Sequence, residues 1–401
     1  MSAPITVTGV QVILTQPGPS RLAVVKVLTS EPGLYGVGCA TYTQGIFAVQ
    51  AAVERHLAPF LIGRDVDRIE EAWRMSMVHA YWRNGPVMNN AISGVDQALW
   101  DIKGKRAGMP VYELLGGKVR EAAAVYTHAH GRDKAEVLDM ATGFVEEGYR
   151  HVRIQMGGYG GADASDRAPE GSPPGAYFDP VRYYRSTLEM IDHVRSELGD
   201  DVELLHDVHE RLHPIDAVRF AKDLEPYRLF FLEDLLAPED VEWFAQIRAQ
   251  SATPLAMGEL FNNPHEWRTL VTERLIDFIR MHISQIGGLT PARNAAILAD
   301  TFGVRTAWHG PSDTSPVGHA ANLHLGVWAP NFGIHEWYRP NEVEYEMFPG
   351  TPIVRDGYLY PNDTPGLGID IDEDLAAQYP CDDIVEEWTQ TRLPDGSPAR
   401  P

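Results

Sequence analysis

The chain has 401 residues, of which 44% are hydrophobic and 22% are charged, and this composition is typical of a globular protein with one large and one smaller domain. Its formal net charge of −22 argues against a nucleic-acid partner, because a phosphate backbone binds a basic surface and acidic side chains outnumber basic ones by 56 to 34. The two cysteines, Cys39 and Cys381, are too few for a disulfide framework or a thiolate metal site.

No targeting signal is visible in the sequence. The N-terminus lacks the succession of basic, apolar and small residues that marks a secretory signal, and no apolar run is long enough to span a membrane. We therefore expect a cytoplasmic protein without a membrane partner. A bound metal would be held by oxygen or nitrogen ligands.

Residues 1–120 have the pattern of an α+β domain. The segments VTGVQVILT, LAVVKVLTS and GLYGVGCAT predict three strands, the first two separated by the turn QPGPS. From FAVQAAVERHLAPFLIG to MPVYELLGG the apolar residues recur at helical spacing. Strands followed by helices predict an α+β arrangement for this part of the chain.

Between residues 121 and 340, short apolar runs alternate with longer amphipathic segments. Eight runs end in a polar residue, and these residues are His128, Arg153, Asp207, Glu233, Glu259, His282, His309 and Glu336. Their intervals are 23 to 27 residues, apart from one of 54, and the shorter intervals fit one strand plus one helix. The repeat predicts a parallel barrel with helices outside it, and a doubly wound open sheet is the alternative.

The long interval and the tail have no such repeat. The interval contains GGYGGADASDRAPEGSPPGAYF, which is typical of a lid or an active-site loop. After residue 340 the chain has many turns and one strand-like segment, PIVRDGYLYP. We expect residues 341–401 to form a tail that packs on the N-terminal α+β domain.

Three of the strand-ending residues, Asp207, Glu233 and Glu259, are acidic and follow each other at intervals of 26 residues. The carboxyl ends of barrel strands meet at one mouth, so these side chains would face one another. Three carboxylates in a partly dry site repel one another strongly unless a divalent cation lies between them, and hard oxygen ligands favour Mg²⁺. In the alternative, each acid caps the helix that follows its strand.

The chain resembles the enolase superfamily over almost its whole length and, within it, the mannonate dehydratase subgroup. The resemblance rests on WRNGPVMNNAISGVDQALWDIKGKRAGMPVYELLGG in the first domain and on HDVHER, FLEDLLAPED, GELFNNPHEW, HISQIGGLTPARN, WHGPSDTSPVGHAANLHL and HEW in the second. It implies an α+β capping domain over a (β/α)7β barrel, with Mg²⁺ on Asp207, Glu233 and Glu259. It also implies removal of the proton next to a carboxylate, and assembly into a homo-oligomer, either a tetramer or an octamer.

The resemblance also assigns the groups that move protons. Strand two lacks the Lys-x-Lys pair and strand six lacks the terminal aspartate of other branches, which argues against a racemase or a cycloisomerase. In the subgroup pattern Tyr159 removes the C2 proton, with the charge of Arg153 lowering the pKa of the tyrosine; a lid contact is the alternative.

His209 lies two residues after Asp207, so on an extended chain both side chains point to the same side. The subgroup assigns His209 the protonation of the departing 3-hydroxyl; a hydrogen-bonded surface histidine is the alternative.

Matching positions of the subgroup imply a set of substrate contacts. They are His128, His209, Arg280, His309, Asp313 and Glu336. For Arg280, an ion pair within the barrel rim is the open alternative. We expect four further histidines and a tryptophan to be core or wall residues: His206, His282, His319, His324 and Trp308.

The sequence departs from the subgroup in the loop after the third strand. This loop contains CATYTQGIF, with Thr43 and Gln44 where the subgroup has an asparagine, and we expect these two residues to contact the distal end of the substrate.

The sequence leaves two functions open. One is a slow or divergent Mg²⁺-dependent dehydratase that converts D-gluconate or D-mannonate to 2-keto-3-deoxy-D-gluconate. The other is a metal-binding protein of the same fold that binds an acid sugar without turnover and has a regulatory role.

Overall fold

The structure, a computed structural model, describes residues 4–157 and 168–400. The predicted base Tyr159 lies outside the described residues. The described chain divides into two compact units. Unit 1 contains the residues up to Ala124, Glu259–Glu266 and Arg280–Asp383, and unit 2 contains Val125–Gly258, Trp267–Ile279 and the residues from Ile384 onwards.

Unit 1 begins with an antiparallel three-stranded sheet. Its strands are β1 (Val7–Thr15), β2 (Leu22–Thr29) and β3 (Tyr35–Cys39), paired in the order β1-β2-β3. Five of the eight residues of the central strand are buried and the other three are half-buried, because the sheet packs against helices. This is the three-stranded meander that the alternating sequence pattern predicts.

Helices follow these strands in the chain. They are α1 (Ile46–Ala52), α2 (Ala58–Leu61), α3 (Ile69–Val78), α4 (Pro86–Ala107) and α5 (Val111–Leu115), with a π-helical turn over Val53–Leu57. The longest, α4, has proline at its first position and ends at Gly108, whose φ of 66° lies in the left-handed region. It lies directly on β3, where a Cβ atom added to Gly38 would be 2.1 Å from the carbonyl oxygen of Gly94.

Eight parallel strands form a barrel within the described residues. They are β4 (Ala123–Gly131), β5 (His151–Met156), β6 (Glu203–Asp207), β7 (Phe231–Glu233), β8 (Leu255–Met257), β9 (Phe278–Met281), β10 (Arg305–Trp308) and β11 (Phe332–Glu336). They are paired in chain order, and β11 also pairs with β4, which closes the sheet. The predicted (β/α)7β barrel is confirmed, and the open doubly wound sheet is wrong.

Helices alternate with these strands. They are α6 (Lys134–Glu146), α7 (Pro180–Leu198), α8 (Pro214–Asp223), α9 (Phe244–Gln250), α10 (Pro264–Thr272), α11 (Leu289–Thr301) and α12 (Pro316–Trp328). The helix α8 begins after His213, and the 3-10 helix that follows β7 begins after Ala237. Helix capping therefore does not account for the acids Asp207 and Glu233.

The tail has contacts in both units. Its elements are α13 (Glu342–Met347), β12 (Ile353–Arg355), β13 (Tyr358–Tyr360) and α14 (Glu373–Ala376). In unit 1, β13 pairs with the start of β4, and Thr15 of β1 donates to the carbonyl oxygen of Ala376 over 3.1 Å. In unit 2, the amide of Phe178 donates to the carbonyl oxygen of Arg392 over 2.7 Å. The predicted domain limits at residues 120 and 340 stay a prediction.

One further feature concerns membranes. In residues 4–157 and 168–400, no helix combines the length and the apolar character that crossing a bilayer requires.

Candidate active site

Two carboxylates at the carboxyl ends of neighbouring strands bond to one guanidinium in unit 2. Asp207 ends β6 and Glu233 ends β7, and the two residues are register partners. Their side chains are fully buried, and Arg153 of β5 donates from the same Nη1 atom to Asp207 Oδ2 over 3.1 Å and to Glu233 Oε1 over 3.0 Å. Two buried carboxylates close together repel each other, and the guanidinium that bridges them offsets this repulsion.

Two further side chains bond to Glu233 and Asp207. The hydroxyl of Tyr126 on β4 donates to Glu233 Oε2 over 3.1 Å. The amide of Gln155, two residues beyond Arg153 on β5, donates to the carbonyl oxygen of Asp207 over 3.3 Å. The first bond restricts the orientation of the Glu233 carboxylate, and the second holds the backbone at Asp207.

His209 is held next to Asp207 by a tight turn. Its backbone amide donates to Asp207 Oδ1 over 2.8 Å. The backbone φ angles of His209 and Glu210 are 53° and 59°, so the chain leaves the strand in the left-handed region instead of remaining extended. The half-buried imidazole of His209 lies 6.1 Å, between ring centroids, from the indole of Trp388. The turn, and not the alternation of an extended strand, therefore places His209 beside the acid.

Unit 2 also contains a grouping of side chains that could hold a metal ion. Ligand oxygens of Asp207, Glu233 and Asp234 all lie within 4.8 Å of one another. Asp234 directly follows Glu233, but its φ of 38° is not that of an extended strand, so its side chain does not follow the alternation of strand faces. Its Oδ1 accepts a hydrogen bond of 3.1 Å from the amide of Gly258. Carboxylate oxygens alone fit a hard cation such as Mg²⁺.

In unit 1, an arginine links two further acids. Arg280 of β9 is fully buried and donates to both Glu259, which follows β8, and Glu336, which ends β11. The amide of Gly310 donates to Glu336 Oε2 over 3.0 Å, and His309 Nε2 lies 3.3 Å from Glu259 Oε2. Arg280 thus forms ion pairs within the protein, the alternative considered from the sequence for this residue.

A second grouping in unit 1 could also hold a cation, and it combines imidazole with carboxylate. Asp313 Oδ1 lies 3.9 Å from His282 Nε2 and 3.9 Å from His309 Nδ1. Burial lowers the pKa of His282 well below its usual value, and the neighbouring His309 lowers it further. Burial and Arg280 also lower the pKa of His309, but Glu259 and Asp313 outweigh them and leave it raised. A site with two imidazoles suits Mg²⁺ less well than the carboxylates of unit 2.

The other predicted contacts, Thr43, Gln44 and His128, differ from one another in exposure and surroundings. The side chain of Thr43 is buried and its hydroxyl donates to the carbonyl oxygen of Arg21 over 3.0 Å, whereas Gln44 is exposed. His128 on β4 borders a cavity of about 680 Å³ in unit 2, together with Arg153 and Gln155. The imidazole of His206 is buried and bonds to the carbonyl oxygen of Ile154 and to Tyr183, as expected for a core residue.

Several residues at these clusters were missed by the sequence interpretation. Tyr126 lies two residues before His128 and Gln155 two residues after Arg153, so strand alternation would have placed each of them on the face of its neighbour. Asp234 and Trp388 had no such signal. The position of the Asp234 side chain depends on a left-handed backbone at a residue other than glycine. Trp388 lies in a tail whose sequence has no periodicity.

Family models match most of the chain. The model described as the mandelate racemase / muconate lactonizing enzyme N-terminal domain matches residues 2–116, and the model described as enolase C-terminal domain-like matches residues 136–375.

Individual relatives match over their full lengths. The D-galactonate dehydratase family member RspA of Pantoea ananatis is 55% identical over 98% of this chain and 99% of its own. A D-galactonate dehydratase family member of Enterococcus gallinarum is 50% identical over the whole of both chains. A crystal structure of an enolase from Pantoea ananatis with bound D-gluconate and Mg has 55% identity and a TM-score of 0.96, over 99% of this chain and 100% of that one. The chain therefore belongs to the enolase superfamily.

Proposed function

We propose that this protein is a Mg²⁺-dependent dehydratase of acid sugars that converts D-gluconate or D-mannonate to 2-keto-3-deoxy-D-gluconate. The observation that carries the proposal is the buried pair Asp207 and Glu233, bridged by Arg153 and followed directly by His209. The names of the relatives, which are dehydratase family members, and the D-gluconate and Mg in the similar crystal structure support it.

The donor set fits Mg²⁺. Asp207 and Glu233 are fully buried acids that need positive charge nearby, and oxygen is the ligand type that Mg²⁺ prefers. These two residues would hold the ion, with Glu259 as the third ligand expected from the sequence. When bound, Mg²⁺ would stabilise the negative charge that develops on the substrate carboxylate as the neighbouring proton is removed.

The protein's own groups would move the protons. Tyr159 is the proposed base, and it would take the proton from C2 of the sugar acid. His209 would donate a proton to the 3-hydroxyl group, so that the C3–O bond breaks and water leaves. The resulting enol would then take a proton at C3 and become the 2-keto product. Asp207 fixes the backbone of His209, which keeps the acid close to the metal site.

Further residues expected from the sequence would bind the substrate. Arg280 and His309 are buried and offer N–H donors, and Glu336 offers an acceptor held by the amide of Gly310. Such groups can bind the carboxylate and the hydroxyls of an acid sugar. Thr43 and Gln44 are proposed to contribute to the choice among these sugars.

A screen of five- and six-carbon acid sugars for a 2-keto acid product tests this proposal. We expect product only with Mg²⁺, and we expect Glu233→Gln to reduce the rate at least about 100-fold, because it removes a charged metal ligand. Glu121→Gln is the matched control, since the side chain of Glu121 is 86% exposed. Binding of an acid sugar without any turnover across the panel would contradict the dehydratase and favour the regulatory binding protein.

A further inference from the structure

The last residues of the chain are attached to unit 2 at several points. The amide of Arg392 donates to the carbonyl oxygen of Ala176 over 2.8 Å, and the carbonyl oxygen of Arg392 accepts from Phe178 over 2.7 Å. Arg400 forms an ion pair of 2.8 Å with Asp240. The tail from residue 384 to residue 400 is therefore anchored before and after β6.

This attachment places one aromatic side chain next to the proposed acid. Trp388 lies in the 3-10 helix Glu387–Gln390, and its ring meets the imidazole of His209 edge to face, at 65° and with 6.1 Å between centroids. The carbonyl oxygen of Trp388 accepts a 2.8 Å hydrogen bond from the hydroxyl of Thr391, which connects the residue to the anchored part of the tail.

The hydrogen bond to Asp207 involves the backbone of His209, whereas the contact with Trp388 involves its ring. The hydrogen bond to Asp207 and the left-handed φ of 53° set the direction in which the side chain leaves the chain. Rotation about the two side-chain torsions would still turn the imidazole away from the metal site. An indole in edge-to-face contact restricts this rotation.

We infer that Trp388 is a positioning residue that holds the imidazole of His209 in the orientation needed for proton delivery. This inference rests on the proposed function, in which His209 protonates the departing hydroxyl. Trp388 itself transfers no proton and binds no metal in this account. It acts through the ring that it contacts.

The kinetic test compares three variants of the full-length protein with Mg²⁺. We expect Trp388→Ala to lower kcat about tenfold while KM changes less than about twofold, and Trp388→Phe to retain most of the wild-type kcat, because an aromatic edge is kept. Trp82→Ala is the control, since Trp82 is 83% exposed in unit 1. A wild-type kcat in Trp388→Ala, or an equal loss in the Phe and Ala variants, would overturn the inference.

A second readout does not depend on turnover. In protein with isotope-labelled histidine, the His209 ring signals are identified by their absence in His209→Asn. We expect Trp388→Ala to shift and broaden these signals, because the ring current of the indole and the restraint on rotation are lost, whereas Trp82→Ala leaves them unchanged. Unchanged His209 signals in Trp388→Ala would overturn the inference. Absence of turnover in the wild-type protein would instead contradict the proposed function, and the two failures are therefore distinguishable.

Discussion

Asp96 of helix α4 is a buried acid that is hydrogen-bonded to Thr290. It accepts hydrogen bonds from the amide and from the hydroxyl of Thr290, at 2.8 Å and 2.6 Å, and so holds the first turn of α11 in unit 1. Burial raises its pKa from 3.8 to about 7, although both hydrogen bonds act in the opposite direction. The carboxyl group therefore changes its charge near neutral pH, which makes its contribution to stability depend on pH.

The Asp96→Asn variant tests this titration. The pKa of Asp96 is higher in the folded than in the unfolded chain, so its contribution to stability is complete below pH 3.8 and is lost as pH rises through about 7. We expect the unfolding free energy of the wild type, relative to Asp96→Asn, to decrease by up to about 1.4 kcal/mol per pH unit within this window. Urea unfolding at several pH values measures it, with exposed Asp300→Asn as the control. Parallel pH profiles for the wild type and Asp96→Asn would contradict the assignment.

Arg153 is the second residue whose charge decides local stability. We expect Arg153→Met to lower the unfolding free energy in metal-free buffer by about 3–5 kcal/mol, because it removes the cation bonded to two fully buried carboxylates. Added Mg²⁺ should raise the melting temperature of this variant more than that of the wild type, since the ion then supplies the missing charge. Thermal unfolding with Mg²⁺ and with a chelator measures both effects. Equal Mg²⁺ shifts in the two proteins would be evidence against a metal site at these acids.

At the scale of elements, the contact between β3 and α4 depends on two glycines. A Cβ atom at Gly36 would be 2.0 Å from the carbonyl oxygen of Ala98, and one at Gly38 would be 2.1 Å from that of Gly94. Both contacts are with helix backbone, which cannot move aside as a side chain can. The helix can therefore approach the strand this closely only because neither position has a side chain.

The Gly38→Ala variant tests this packing. We expect it to lower the unfolding free energy by about 2–3 kcal/mol, because strand and helix must separate to admit the methyl group. Gly143→Ala is the matched control: Gly143 lies inside α6 with no atom within 4 Å of an added Cβ, so this change should stabilise the protein by about 0.5–1 kcal/mol. Chemical denaturation midpoints separate the two cases. Similar stability in the two variants would show that β3 and α4 are not in direct contact.

The barrel strands could be predicted from the sequence, whereas the turns that follow them could not. The strands that carry Arg153, Asp207 and Glu233 were predicted, because burial on both faces gives continuous apolar runs and the repeat gives their order. The turns after β6 and β7 were not, since His209 and Asp234 adopt positive φ angles without being glycine. Long-range hydrogen bonds help to hold these turns: the amide of Glu210 donates to the carbonyl oxygen of Asp234 over 2.8 Å, and the amide of Gly258 donates to Asp234 Oδ1.

At the scale of the whole molecule, buried histidines limit stability in acid. Burial lowers the pKa of His206 to about 4, of His324 to about 4 and of His335 to about 3, from a usual value of 6.5. Each of these imidazoles is neutral in the folded protein and protonates readily in the unfolded chain. Their contribution to stability is therefore present above pH 6.5 and is lost as pH falls towards the folded pKa values.

We expect the unfolding free energy to fall as pH is lowered from 6.5 to 4, with each histidine contributing about 1.4 kcal/mol per pH unit and Asp96 partly opposing the loss. His324→Gln should make the decline less steep, because this site then no longer titrates. Its ring accepts from the amide of Tyr112 and donates to the carbonyl oxygen of Leu367, contacts that an amide side chain can copy in part. Urea unfolding between pH 4 and 7 is the measurement. A wild-type stability that is constant over this range would show that these histidines are not buried in neutral form.

We propose that acids at the ends of barrel strands support Mg²⁺-dependent dehydration of an acid sugar. The most direct measurement is NMR and mass analysis of D-gluconate incubated with the protein and Mg²⁺ in deuterated water. We predict 2-keto-3-deoxy-D-gluconate with deuterium at C3, no product with a chelator or in Tyr159→Phe, and C2 exchange without product in His209→Asn. Recovery of unchanged D-gluconate and D-mannonate, with neither product nor exchange at high protein concentration, would contradict the account.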